Sequence, residues 1–282
     1  MKAIILNLSA WVMLPIMDGF AKYLSLTIPV LQITWSRYFF TVIIVLPVML
    51  IFFRKNFKWT DKPKLQLIRG LLLFCANILF FYSISVISLA KALTLAFIAP
   101  LIVTILSPIL LGEKVGFRRW AAVITGFIGS LIVIRPGFVE VNFASIAALG
   151  TGVLYGFYLI VTRKLHNSDH PLLTLLLTGV VGAIIGSIIV PSVWVYPSTN
   201  EWYMMFALGF FASLGHLFLI LSLKYADASK LAPFGYFEII TNIIIGYYFF
   251  NHFPDNWTFL GLFVIMSSGI YIFRREALYK SN

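Results

Sequence analysis

The chain has 282 residues, of which 61% are hydrophobic and only 11% are charged, and its formal net charge is +11. Soluble domains carry about 25% charged residues, so this composition excludes a soluble globular enzyme and a disordered chain. Cys75 is the single cysteine, which excludes an intramolecular disulfide and disfavours a zinc site built on cysteines.

Long apolar segments dominate the chain. A spanning helix needs about 20 mostly apolar residues, because the hydrocarbon core is about 30 Å thick. The segments are apolar all round, unlike the alternating strands of a membrane β-barrel, so they predict an all-α integral membrane protein. The first one lacks a small-residue cleavage site, so we expect a retained helix there. In chain order the ten segments are 4–26, 31–53, 66–87, 92–111, 120–135, 143–162, 172–190, 203–223, 231–250 and 257–273.

The basic residues are sorted by side. With a cytoplasmic N-terminus, 17 of the 21 Lys and Arg residues fall on the cytoplasmic side, and only Lys22, Lys91 and Arg135 fall on the other. This split is a strong positive-inside signal and explains the net charge without a nucleic-acid partner. Ten helices would return the chain to the cytoplasm, so both termini are expected there. The cytoplasmic set is Lys2, Arg54, Lys55, Lys58, Lys62, Lys64, Arg69, Lys114, Arg118, Arg119, Arg163, Lys164, Lys224, Lys230, Arg274, Arg275 and Lys280.

Polar landmarks recur along the chain. Asn77 aligns with His216, and Lys91 with Lys230, at an offset of 139 residues. Five helices in each half would make the second half enter from the opposite side of the membrane. Such inverted repeats are typical of alternating-access transporters with a cavity between the halves. The two predicted five-helix repeats span residues 1–137 and 138–282.

Short motifs also recur in the same order in both halves. In the first half they are Leu93-Thr94-Leu95-Ala96-Phe97-Ile98-Ala99-Pro100, Leu111-Gly112-Glu113-Lys114, Gly126-Phe127-Ile128-Gly129 and Arg135-Pro136-Gly137. In the second half they are Ala232-Pro233-Phe234-Gly235-Tyr236, Phe253-Pro254-Asp255 and Ser268-Gly269-Ile270-Tyr271. In this order the motifs resemble the EamA module of the drug/metabolite transporter superfamily, over essentially the whole chain.

This resemblance implies a ten-helix carrier in the bacterial inner membrane, with a central cavity between the halves. The substrates implied are amino acids, nucleobases, vitamins, methylated metabolites and drugs. One position departs from the pattern, because Phe250-Asn251-His252 stands where the second module usually reads Phe-Gly-Glu. The role that such a Glu would carry, and therefore the role of His252, stays open.

Three ionisable residues lie inside predicted helices, where charge is costly and usually marks a pathway. Asp18 is either a cavity carboxylate or half of an i,i+4 pair with Lys22. Arg37 either binds a substrate carboxylate or phosphate, snorkels to the outer interface or pairs with Asp18. Glu238, about two turns into the ninth segment, is the favoured substrate or proton site. Alternatively, Glu238 is a structural carboxylate that forms hydrogen bonds inside the protein.

Other residues are weaker candidates for the cavity. His216 and Asn77 are equivalent in the repeat, and Asn242 shares a helix face with Glu238; helix-to-helix hydrogen bonds are the alternative. Pro100, Pro233 and Gly235 are conformational candidates. Pro100 lies in the middle of the fourth segment, where it would either kink that helix and open the cavity or be simply structural. Glu113-Lys114 is interpreted as a gate or helix-end network. Aromatic residues that would form a cation–π wall, or else simple packing, are Trp11, Tyr82, Phe97, Tyr155, Tyr158 and Tyr236.

The sequence contains no zinc-protease, phosphate-loop or nucleophile-elbow motif, so no enzyme activity, metal or cofactor is expected. We predict a secondary carrier for a small zwitterionic or cationic metabolite of the amino-acid or methylated-amine type. Proton coupling or exchange, and a monomer or homodimer, are left open. Alternatives are a riboflavin or S-adenosylmethionine carrier, a broad exporter, a channel, and an intramembrane lipid-modifying enzyme.

Overall fold

The computed structural model describes residues 1–56, 58–134 and 142–251, together with 256, 257, 259–261, 263, 264, 267, 268 and 271. Regular structure in this part of the chain is helical. The α-helices are α1 (Lys2–Leu24), α2 (Val30–Phe52), α3 (Pro63–Val86), α4 (Leu89–Ala96), α5 (Ile98–Leu111), α6 (Phe117–Ile134), α7 (Phe143–Lys164), α8 (Pro171–Ile189), α9 (Thr199–Tyr225), α10 (Ala228–Leu231) and α11 (Glu238–Phe250). Three 3-10 helices cover Arg54–Asn56, Val190–Val193 and Ala232–Phe237.

The protein is a multi-pass membrane protein. Seven spans within the described residues are long and apolar enough to cross a bilayer. They are α1, α2, α3, α4 with α5, α7, α8 with the following 3-10 turn, and α9. The predicted tenth segment, 257–273, is described only at nine scattered positions. The count of ten helices and their inverted arrangement therefore stay predictions.

Local sequence signals determine where the helices begin and end. Pro63 and Pro171 each occupy the first helical position, where a missing N–H costs nothing. Ser198 and Glu201 form a capping box at the start of α9, which satisfies two backbone donors reciprocally. Gly112 ends α5 with a φ of 68°, a conformation that glycine adopts without strain. These signals lie at the predicted turns, so the observed boundaries agree closely with the predicted segments.

The predicted fourth segment, 92–111, is interrupted at Phe97, between α4 and α5. We expected Pro100 to kink one continuous helix. Instead Pro100 is the third residue of α5, where its missing N–H falls among the first-turn donors that have no intrahelical acceptor. The proline therefore follows the break and fits the start of the new helix.

The predicted ninth segment, 231–250, is also interrupted. It consists of α10, a tight 3-10 helix over Ala232–Phe237, and α11. Glu238 is accordingly the first residue of a new helix, not a residue two turns into a continuous one. Pro233 lacks a backbone donor, and the α-helix resumes only after the 3-10 segment. A carboxylate at a helix N-terminus is favoured by the positive end of the helix dipole.

The long helices pack in crossed pairs around a common core. Helix α1 packs on α9, α3 on α7, and α2 on α8, while α11 packs on α1 and α4 on α7. The Tyr38 ring of α2 lies directly on the α8 backbone at Gly182, where any Cβ would collide with it. This close approach fixes the part of α2 that carries Arg37.

Candidate functional site

A cavity of about 100 Å³ lies at the centre of the helices. Its wall combines residues of α1, α3, α4, α5, α7, α9, α10 and α11 with the two helix breaks, so it is formed by both predicted halves. Apolar side chains supply most of the wall, and a few polar groups interrupt it. The predicted site residues that line it are Trp11, Asp18, Asn77, Phe97, Pro100, Tyr155, His216, Gly235 and Glu238.

Two carboxylates face this cavity without cationic partners. Asp18 of α1 is 3% exposed, and its Oδ1 has no hydrogen-bond partner. The Lys22 Nζ donates to the carbonyl oxygens of Ile84 and Ile87, at 2.7 and 3.2 Å, so it does not pair with Asp18. Among the described residues, neither Asp18 nor Glu238 forms an ion pair within 4 Å. Neither carboxyl group is therefore committed to a cation of the described chain.

Aromatic rings form one side of the cavity. The Trp11 indole donates to Asn7 Oδ1 at 2.7 Å, and Asn7 in turn donates to Ser222 at 3.3 Å. The Trp11 and Tyr155 rings meet edge to face at 6.4 Å. The Tyr155 hydroxyl lines the cavity and has no hydrogen-bond partner. Trp11 is therefore held by a hydrogen bond, whereas the buried Tyr155 hydroxyl has no partner within the described chain.

Arg37 lies behind the central cavity, in a buried polar network. It is 2% exposed, so it does not snorkel to the interface. Its Nη2 lies 2.5 Å from His216 Nε2, and His216 Nδ1 lies 3.0 Å from the Tyr158 hydroxyl. Because a guanidinium only donates, His216 Nε2 must accept, and the neutral ring carries its proton on Nδ1. His216 therefore bridges Arg37 and Tyr158 through both ring nitrogens.

Arg69 continues this network on the far side of Tyr158. Its Nη2 donates to the Tyr158 hydroxyl at 2.7 Å, and its Nε donates to Thr162 at 2.8 Å. Its Nη1 donates to Thr178 and to the Thr174 carbonyl. The sequence grouped Arg69 with the cytoplasmic basic residues, but its side chain is completely buried. Five helices, α2, α3, α7, α8 and α9, are joined by these contacts.

Other predicted residues lie outside the central cavity wall. Tyr236 is buried, donates to the Val123 carbonyl at 3.1 Å and contacts Phe97 edge to face. Asn242 donates to the Glu238 carbonyl at 3.1 Å. Tyr82 packs against Phe143. Pro233 is buried within the 3-10 turn. His252 lies outside the described residues.

Asn77 lines the central cavity, but its amide nitrogen is already engaged. It donates to the Tyr38 hydroxyl at 2.9 Å and to the Leu73 carbonyl at 2.6 Å. Its repeat counterpart, His216, also lines the cavity. The two side chains thus reach one cavity from α3 and α9, each held by a different partner.

Glu113 organises a separate network at the predicted cytoplasmic ends of the helices. Its carboxylate accepts from the backbone amides of Ala228 and Ser229, both at 3.0 Å, and from Arg163 Nε at 3.2 Å. Arg163 also contacts Asp227 at 2.8 Å. Burial disfavours the charged form of Glu113, but these hydrogen bonds outweigh it and lower its pKa below the usual 4.5. The geometry matches the expected helix-end network.

The comparisons with known proteins agree with this architecture. The model of the EamA-like transporter family matches residues 1–135 and 142–274. An S-adenosylmethionine uptake transporter of Rickettsia conorii is 28% identical over 92% of this chain and 88% of its own. A riboflavin transporter of Vibrio cholerae is 24% identical over 95% of this chain and 92% of its own. A crystal structure at 17% identity superposes with a TM-score of 0.77 over 94% of each chain, which shows a shared fold.

Together the helices, the central cavity and these matches define a membrane transporter of the drug/metabolite transporter superfamily, not an enzyme. The chain belongs to the EamA-like transporter family.

Proposed function

We propose that the protein is a secondary carrier that moves a small zwitterionic or cationic metabolite across the inner membrane by alternating access. The observation that carries this proposal is the pair of carboxylates, Asp18 and Glu238, that line the central cavity without ion-pair partners. Uncompensated ionisable groups inside a membrane are expensive. A cationic group on the solute would compensate them, and the solute is selected for that charge.

The chemistry of the cavity wall matches an S-adenosylmethionine-type solute best. Its ammonium and sulfonium groups match Asp18 and Glu238, and it is itself a methylated amino-acid derivative. Its flat adenine ring matches the edge-to-face pair of Trp11 and Tyr155, and aromatic faces also attract sulfonium and ammonium cations. Relatives named as S-adenosylmethionine uptake transporters support the same choice.

Riboflavin is the second candidate, favoured by the aromatic wall and by relatives named riboflavin transporters. It is an uncharged flat molecule, so it would leave both carboxylates without a cation. Only the ring contacts with Trp11 and Tyr155 would then select it. We therefore rank it below a cationic solute.

The cavity must widen during transport. Its volume of about 100 Å³ is below the roughly 300–1,000 Å³ of ordinary ligand pockets. The backbone at Phe97 and along Ala232–Phe237 departs from regular α-helix, so these two breaks are the natural hinges. Pro100 and Gly235 line the cavity next to them.

The inverted repeat, with halves 1–137 and 138–282, is supported by matching backbone features. Helix α10 starts 139 residues after α4. Helix α5 ends at Gly112 with a φ of 68°, and α11 ends at Asn251 with a φ of 53°. These two residues in the left-handed conformation are also 139 positions apart. The two breaks pack against each other, with the Phe97 and Tyr236 rings 5.3 Å apart, and bending at both would let one half rock against the other.

The test is uptake into proteoliposomes that contain the purified full-length protein. We expect saturable uptake of radiolabelled S-adenosylmethionine, which Asp18→Asn and Glu238→Gln each reduce about tenfold or more. A hydrogen bond to a charged group is worth about 1.5–3 kcal/mol, and about 1.4 kcal/mol is a factor of ten.

Asp61→Asn is the matched control, because this carboxylate is exposed in the loop before α3 and its loss should leave uptake unchanged. Saturable uptake of riboflavin alone would select the second candidate. Wild-type rates in both cavity variants would remove the two carboxylates from the mechanism.

A further inference from the structure

A second cavity, which we call the helix-end cavity, lies where several helices begin or end on the predicted cytoplasmic side. Its volume of about 700 Å³ is within the roughly 300–1,000 Å³ of ordinary ligand pockets. Its wall is formed by the start of α1, the ends of α7 and α9, α10 and the 3-10 turn that follows α10. Leu231 of α10 lines both this cavity and the central one. The helix-end cavity is thus large enough for a small molecule and is not used by the proposed carrier mechanism.

Basic side chains from separate parts of the sequence converge on this cavity. The positive-inside rule places basic residues on the cytoplasmic side, but it does not require them to face one concave space. Among the described residues, the ionisable side chains that line the cavity are the bases Lys2, Arg163, His166, Lys224 and Lys230 and one carboxylate, Asp227.

The single lining carboxylate is already paired. Asp227 accepts from Arg163 Nη2 at 2.8 Å, and Glu113 accepts from Arg163 Nε at 3.2 Å, so Arg163 brings its own counter-charges. Within the described part of the chain, neither Lys2 nor Lys224 forms an ion pair. The cavity therefore keeps an excess of positive charge, and a concave wall lined by one sign of charge concentrates the electrostatic potential on an occupant.

Two further contacts arrange hydrogen-bond donors in the wall. The Lys2 ammonium lies 3.5 Å from the Tyr225 hydroxyl oxygen and 4.5 Å from the centre of the Tyr225 ring. The hydroxyl accepts from the ammonium, so its own proton is not used in this contact. His166 Nδ1 lies 2.8 Å from the Arg163 carbonyl oxygen, which fixes the orientation of the imidazole ring. The wall thus combines lysine ammonium groups with a phenol that still has a proton to donate.

We propose that the helix-end cavity binds the phosphate group of an anionic ligand, with Lys2, Lys224 and Lys230 supplying the positive charge. A phosphate offers several acceptor oxygens, and charge-assisted hydrogen bonds to it are strong. Two sources share this chemistry: the headgroup of an anionic phospholipid, since basic pockets between helices bind such headgroups on the cytoplasmic side, and a soluble phosphorylated metabolite.

The remaining wall suits the rest of such a ligand. The side chains of Ile4, Leu231 and Phe234 line the same cavity and offer apolar contact beside the basic groups. A ligand held there would join α1, α7, α9 and α10 next to the Glu113 network. The site thus lies apart from Asp18 and Glu238, which face the central cavity.

The test has two arms, both on the purified full-length protein. In the first, the protein in phosphatidylcholine nanodiscs is dialysed to equilibrium against radiolabelled inorganic pyrophosphate, with sodium gluconate holding the ionic strength constant. In the second, nanodiscs that mix phosphatidylglycerol with phosphatidylcholine are dissolved in detergent, and native mass spectrometry counts the lipids that each chain retains. We expect saturable, selective binding in at least one arm. Lys2→Gln and Lys224→Gln should each weaken it about tenfold, because each removes a charged hydrogen-bond donor.

Lys64→Gln is the matched control, because this lysine is also exposed on the predicted cytoplasmic side but does not line the cavity. Retention of phosphatidylglycerol over phosphatidylcholine would identify a lipid headgroup, and pyrophosphate binding without lipid retention would identify a soluble ligand. Absence of selective binding in both arms would overturn the proposal. So would an equal loss in Lys64→Gln, since diffuse surface charge would then explain the binding. Both arms measure binding and not transport, so the result stands apart from the proposed function.

Discussion

The carboxylates of this protein differ sharply in what surrounds them. Asp18 in the central cavity has an oxygen without a partner, whereas Glu113 at the helix ends accepts from two backbone amides and from Arg163. The first arrangement leaves a carboxyl oxygen without a partner in the cavity, and the second uses the carboxylate of Glu113 to join α5, α7 and α10. The same side-chain chemistry is therefore unpaired in one place and fully engaged in the other.

The lowered pKa of Glu113 predicts a pH dependence of stability. A carboxyl group with a lower pKa in the folded state stabilises the fold fully above its unfolded pKa, and this contribution is lost as the pH falls through the folded value. We therefore expect the melting temperature in detergent to fall below about pH 4.5. At pH 7, Glu113→Gln should be about 1–3 kcal/mol less stable than the wild-type protein and should melt at a lower temperature. Its melting temperature should then fall less steeply than that of the wild type as the pH is lowered. Parallel pH profiles for the two proteins would contradict this.

Sequence reasoning identified Asp18 and Glu238 because a carboxyl group in an apolar segment is conspicuous. It could not identify Arg69, because an arginine two turns from a helix end looks like an ordinary interfacial residue. Tyr155 was only one of six aromatic candidates drawn from 47 aromatic residues; its unpartnered hydroxyl and its contact with Trp11 emerge only from packing. Charge in an apolar run is therefore readable from one sequence, whereas a residue's partners are not.

At the scale of elements, the long helices were predictable and the two breaks were not. Residues 92–111 form one apolar run, and nothing in that run separates a continuous helix from two helices that meet at Phe97. Tertiary contact supplies the difference. Helix α7 approaches the break so closely that a Cβ at Gly152 would collide with the Ala96 carbonyl and the Ile98 side chain. The break is thus held by packing from a different part of the sequence.

We predict that Gly152→Ala destabilises the protein by about 1–3 kcal/mol, the usual range for an overpacked site, because the new methyl group meets backbone that cannot move aside. Gly246→Ala is the matched control. This glycine is also helical, and a Cβ there would meet nothing within 4 Å, so the change should be neutral or stabilising by up to about 1 kcal/mol. Thermal unfolding in the same detergent measures both. If Gly152→Ala melts at the same temperature as the wild-type protein, the α4–α5 break tolerates the extra methyl group and the prediction is wrong.

At the scale of the whole molecule, the distribution of basic residues predicts the orientation of the chain in the membrane. The basic residues are sorted 17 to 3 between the two predicted sides. The α2–α3 connection, rich in Lys and Arg, is expected in the cytoplasm, and the α8–α9 connection, which contains neither, outside. An inverted repeat requires this asymmetry, because an odd number of spans per half puts equivalent loops on opposite sides.

Two exposed aromatic residues provide a matched test of this topology. Trp59 in the α2–α3 connection is 82% exposed, and Tyr196 in the α8–α9 connection is 90% exposed. In a Cys75→Ser background, we expect Tyr196→Cys in intact cells or right-side-out membranes to react with a membrane-impermeant maleimide. Trp59→Cys should react only after the membrane is opened, because positively charged loops remain on the cytoplasmic side. The reverse labelling pattern would place the N-terminus outside, and labelling of both residues before opening would rule out their separation by the bilayer.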